Sequence, residues 1–97
     1  MNRVITTALM VYSVYWDWNE YDRGLNLNAY NINDSFETAI EAAKECYERY
    51  QEEPIPENFE KSLRETPHQY ENEDILIRIE EEPIYTRRAN LYQKNQP

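Results

Sequence analysis

The sequence predicts an α+β fold: an antiparallel sheet of three to four strands with one long amphipathic helix packed on one face, in the order β-β-α-(α)-β-(β). Three observations carry this. Residues 34–51 repeat apolar side chains at helical spacing, with Phe36, Ala39, Ile40, Ala43, Cys46, Tyr47 and Tyr50 on one face. Residues 4–16 and 74–80 are dense in β-branched, aromatic and aliphatic residues, and the second run alternates. The helical run is flanked by extended ones, so its apolar seam must cover a sheet face.

Residues 4–16 predict the first strand. Leu9, Val11, Ser13 and Tyr15 fall on one side, and Ala8, Met10, Tyr12, Val14 and Trp16 on the other. Both sides are largely apolar, which predicts a central strand covered at least in part on both faces. Residues 17–24 (DWNEYDRG) read as a polar loop closed by Gly24, the one glycine of the chain, with a positive φ at the end of the turn. Residues 25–32 alternate Leu25, Leu27 and Ala29 against Asn26, Asn28 and Tyr30, the pattern of a half-buried strand that closes an antiparallel hairpin with the first. Asp34 with Glu37 has the spacing of a capping box, and Ser35 is the other available cap. Pro54 stops the helix, because the residue before a proline is driven out of the helical region. Residues 57–64 predict a short helix with Phe59 and Leu63 as its contact, ended by Thr66 and Pro67, and residues 68–73 a polar loop. In the strand over 74–80, Ile75, Ile77 and Ile79 face in, while Leu76, Arg78 and Glu80 face out. Glu81, Glu82 and Pro83 interrupt it before an edge strand over 84–89. One domain over 1–89 with a flexible tail over 90–97 follows from this reading.

Charge and composition narrow the function. The net charge is -9, and all 19 acids lie at or before Glu82, whereas Arg87, Arg88 and Lys94 follow with no acid among them. Such a body repels nucleic acid and anionic membranes and attracts basic partners. The mean hydropathy is low. Nine Tyr, two Trp and two Phe nevertheless supply a core that polar tracts lack. The apolar run over 4–16 is too short to span a bilayer as a helix and ends in aromatics rather than at a cleavage site, so no membrane segment or signal peptide is expected. A single unpaired cysteine fits a reducing, cytoplasmic setting.

Catalytic chemistry finds few residues to use. One His and one Cys leave no zinc cluster, and one Gly leaves no phosphate-binding loop. Cys46 falls on the apolar helix face, where a thiol packs rather than reacts. No metal, cofactor or enzymatic activity is expected.

The surface features that remain are acidic. Glu37, Glu41, Glu45, Glu48 and Glu52 fall within an arc of roughly 80° opposite the apolar seam. They run along about 22 Å of helix at a pitch close to that of backbone phosphates. The second feature is the aromatic-acidic stretch of Asp17, Trp18, Glu20 and Asp22, since exposed aromatics beside acids suit a basic partner surface. In general build, and in the ridge from Glu37 to Glu52, the chain resembles small acidic inhibitors carried by phages and mobile elements. These include nucleic-acid mimics that act on restriction or CRISPR surveillance complexes (anti-restriction and anti-CRISPR proteins). The resemblance implies a non-enzymatic inhibitor, a monomer or homodimer, that binds the basic surface of a nucleic-acid-binding complex and no nucleic acid itself. The alternative is a small interaction or homodimerisation module that uses apolar and aromatic contacts, its charge serving solubility.

Overall fold

The computed structural model describes residues 6–19 and 26–87. The elements in order are β1 (Thr6–Trp18), β2 (Asn28–Asn33), α1 (Phe36–Gln51), α2 (Phe59–Arg64), β3 (Gln69–Glu71) and β4 (Ile75–Arg87). The four strands form one antiparallel sheet in the order β2-β1-β4-β3, with α1 packed across one face, so the fold is α+β.

The helix forms where its apolar period lies. Ser35, in extended conformation, is the N-cap, and its Oγ accepts the Thr38 N–H at 3.1 Å. Of the two caps the sequence offered, Ser35 is used. At the other end Glu52 takes φ 57° and donates its N–H to the Glu48 carbonyl, closing the last turn in the left-handed region usual for a helix stop. Ala39, Ile40, Ala43, Cys46 and Tyr47 are buried against Val14, Ile75, Ile77 and Ile79 of the sheet, and Tyr50 stacks on Trp16 with ring centroids 4.0 Å apart. Phe59 and Leu63 of α2 close the same core, and Tyr47, Phe59 and Tyr70 meet edge-on or tilted within it.

Several sequence expectations are corrected. The first strand runs two residues further than expected, to Trp18. Asp17 is therefore strand, not loop, and is fully buried. The alternation over 25–32 breaks at a β-bulge opposite Val14 and Tyr15, so Ala29 is exposed and Tyr30 turns to pack beside Tyr50 of α1. Gly24 and Leu25 lie outside the described residues. Within the expected loop over 68–73, Gln69–Glu71 forms β3.

The largest correction is β4. It runs unbroken through Glu81, Glu82 and Pro83, and its pairing with β1 is continuous from Trp18↔Ile75 to Thr6↔Arg87. Proline fits there for a reason of parity. The Ile79 N–H donates away from β1, to the His68 carbonyl at 3.0 Å. By the two-residue period, position 83 also points away from β1, past the end of β3, so the missing N–H forfeits no ladder bond. Glu81 and Glu82 are held by hydroxyls of β1. Tyr12 donates to Glu81 at 3.1 Å, and Ser13 and Tyr15 donate to Glu82 at 2.6 and 3.1 Å. Leu76 does turn away from the helix, but it is buried on the opposite face, directly across from Asp17.

Candidate acidic binding face

Glu37, Glu41, Glu45 and Glu48 are exposed on the solvent side of α1, whereas Glu52, expected as the last member of the helical ridge, is exposed just past the helix at its left-handed C-cap, and the structure divides the five. The first half is clamped to α2. Arg64 holds Glu37 through two bonds of 2.7 and 2.8 Å, while its Nε donates to Glu60 at 2.9 Å. Lys44 bridges Glu41 at 3.3 Å and Glu60 at 2.8 Å. The Arg64 guanidinium keeps the Glu37 carboxyl below its ordinary range, and Lys44, then Arg64, does the same for Glu60. In effect Glu37 and Glu41 are spent on bracing α1 against α2.

The second half of the ridge keeps its charge outward. Among the described residues no ion pair holds Glu45, Glu48 or Glu52. Glu45 accepts the Tyr30 hydroxyl at 2.7 Å, which orients the carboxylate without neutralising it. Burial, then that carboxylate, pushes the Tyr30 phenol up to about 12, so Tyr30 remains a donor through the neutral range.

The aromatic-acidic stretch is also split. Asp17 is fully buried, and its Oδ2 accepts the Asn26 N–H at 2.7 Å, so in this fold it braces the segment leading into β2 rather than meeting a partner. Trp18 is partly exposed and sets its ring edge-on to Trp16 and Tyr50, at 5.1 and 6.0 Å. Glu20 and Asp22 lie outside the described residues.

Trp18 gains acidic neighbours that sequence proximity did not suggest. The Asn19 N–H donates to the Asp74 carbonyl at 2.9 Å, and its side-chain amide donates to Glu71 at 2.8 Å and the Asn72 carbonyl at 2.7 Å. This staple draws the turn between β3 and β4 against the end of β1. The result is a shallow hollow of about 460 Å³ lined by Trp18, Asn19, Tyr50, Gln51, Glu73 and Asp74. Glu52 follows Gln51 directly, so the free half of the ridge runs to the lip of the hollow. Glu73 and Asp74, which the sequence reads as part of a solvated acidic loop after His68, are the members it leaves out of the binding face. No local signal in the sequence places them there; the register that sets Trp18 opposite Ile75 does.

A second concavity, of about 280 Å³, is lined by Tyr12, Phe36, His68, Ile79 and Glu81. Among the described residues no group of three His, Cys, Asp or Glu is placed to hold a metal ion. Cys46 is buried, and desolvation pushes its thiol up to about 12, which leaves it protonated and inert as a nucleophile. No helix among the described residues is long and apolar enough to cross a membrane.

Comparison with known proteins returns no matching family model, no matching curated protein and no matching solved structure.

Proposed function

We propose that this is a non-enzymatic binding protein whose carboxylates occupy a basic, phosphate-binding groove on a nucleic-acid-binding complex. The observation that carries the reading is the free half of the α1 ridge. Glu45, Glu48 and Glu52 stand exposed and free of ion pairs among the described residues, the first two on a helix whose opposite face is locked into the core and the third at its C-cap. Carboxylates projected from a backbone that is already ordered meet a Lys/Arg groove without a cost of folding, and they replace phosphates without offering bases to read. The adjoining hollow supports the same partner chemistry. Aromatic Trp18 and Tyr50 beside acidic Glu73 and Asp74 suit an inserted arginine or lysine. The partner class is a cytoplasmic defence complex of the CRISPR surveillance or restriction type, and the protein acts as its inhibitor.

The test is displacement of labelled duplex DNA from a panel of purified restriction and CRISPR surveillance complexes. The wild-type chain displaces DNA from at least one of them, and this action weakens steeply between about 50 and about 200 mM salt. The variant Glu45→Lys/Glu48→Lys/Glu52→Lys keeps its fold and loses at least about tenfold in affinity. If it displaces DNA as well as the wild type, or if no complex in the panel responds to the wild type, the reading is wrong.

A further inference from the structure

The β1–β4 ribbon extends past the part of β1 that β2 covers, and there one of its edges carries no further strand among the described residues. β2 covers β1 only from Tyr12, which pairs with Asn33, to Trp16. Residues 6–11 of β1 therefore pair with β4 on one side and with no described strand on the other. Parity shows which groups are left. Even-numbered positions of β4 donate toward β1, and the register pairs them with odd-numbered positions of β1. Even-numbered positions of β1 therefore direct their N–H and C=O outward. The Tyr12 and Trp16 carbonyls confirm this by accepting from Asn33 and Asn28 of β2. At Thr6, Ala8 and Met10 the same groups have no partner among the described residues.

The other edges carry the usual protections. The open edge of β4 holds Glu80, Glu81, Glu82 and Pro83, and β2 is short and bulged. Residues 6–11 read TTALMV, with no charge, proline or bulge. Three of the five large exposed hydrophobics among the described residues, Leu9, Met10 and Ile84, lie in this part of the ribbon. Leu9 and Ile84, 55% and 44% exposed, face each other directly across the ribbon, with Met10 next along β1. A two-stranded ribbon alone in water is marginal.

We infer that residues 6–10 of β1 pair edge to edge with the same segment of a second copy, making a two-fold homodimer with a continuous sheet. The geometry commits to this occupant. Antiparallel pairing of a strand with itself closes on a two-fold axis. With Ala8 opposite its own counterpart, Thr6 meets Met10 of the second copy, giving about six backbone bonds. The pairing ends where Asn33 begins to cover Tyr12, so the open segment has the length the pairing needs. Leu9 of each copy becomes the diagonal neighbour of the other on one face, beside Ile84. Charge favours a second copy over a basic partner, because the edge offers no carboxylate to a cation. It also permits the approach. The two helix-covered bodies lie about 40 Å apart along the sheet, several times the roughly 8 Å screening length, so their like charges do not oppose association.

The test is sedimentation velocity of the full chain from about 10 µM to about 1 mM. A concentration-dependent monomer–dimer equilibrium is expected. Ala8→Pro removes an outward N–H and no internal ladder bond, so it retains the monomer fold by circular dichroism while weakening dimerisation at least about tenfold. Met10→Lys, at an exposed position, does the same by placing a charge on the edge, and it decides the matter if Ala8→Pro does not fold. The Glu45→Lys/Glu48→Lys/Glu52→Lys variant dimerises like the wild type, which separates this inference from the acidic-face reading. A chain that is monomeric throughout the range, or edge variants that dimerise unchanged, would overturn it.

Discussion

Asp17 shows how one side chain changes role with one step of register. Read beside Trp18, Glu20 and Asp22, it belongs to an exposed acidic loop. In the fold it is the last odd-numbered residue of β1, fully buried opposite Leu76, and its carboxylate accepts the Asn26 N–H. A buried carboxylate is tolerated only where donors meet it, so Asp17 is a structural residue. Asp17→Ala leaves the Asn26 N–H without its acceptor and is expected to lower stability by about 1–3 kcal/mol in urea unfolding. Asp17→Asn retains an acceptor and should cost less. Equal stability of Asp17→Ala and wild type would show that the bond is made equally well by water.

At the scale of elements, α2 depends on α1 for more than its two buried side chains. Six residues do not hold a helix in water by themselves. Phe59 and Leu63 anchor α2 from below, and the Glu37–Arg64–Glu60–Lys44–Glu41 network ties it to α1 from above. The pH dependence follows from the shifts. Glu37 and Glu60 titrate lower in the folded chain than in the unfolded one. Their contribution is therefore complete above the ordinary carboxylate value and is lost as pH falls below it, through their lowered folded values. Arg64→Gln should be less stable than the wild type at neutral pH, and the gap should close under acid. All these groups are solvent-exposed, so the gap is small and shrinks with salt. A gap that stays constant down to strongly acidic pH would assign the Arg64 effect to packing instead.

At the scale of the whole molecule, two surfaces of opposite character lie apart. The free carboxylates of the ridge and the Trp18 hollow carry negative charge, while the β1 edge over 6–10, without a further strand among the described residues, is uncharged. Salt should separate them in one preparation. Between about 50 and about 500 mM salt, affinity for a basic partner should fall by orders of magnitude, whereas the dimer constant should change by less than about threefold. Analytical ultracentrifugation and a DNA-displacement titration at matched salt make the comparison. Parallel salt slopes would mean that one surface serves both contacts.

Much of this fold was legible in the amino acids. The α1 seam, its stop near Pro54, the Phe59–Leu63 contact and the inward isoleucines of β4 follow from spacing, because a helix repeats near 3.6 residues and a strand at 2 whatever they pack against. The exposure of Glu37, Glu41, Glu45 and Glu48 followed for the same reason, whereas Glu52 lies past the helix in its C-cap. Pairing decided the rest. Which strands neighbour one another determined that Pro83 sits harmlessly in β4, that Asp17 is buried and that Glu73 and Asp74 stand beside Trp18. Pairing also set Arg64 against Glu37, so that half the ridge is neutralised. Local sequence carries the period of an element. It does not carry the identity of the element beside it, and charge balance, burial and open edges all depend on that neighbour.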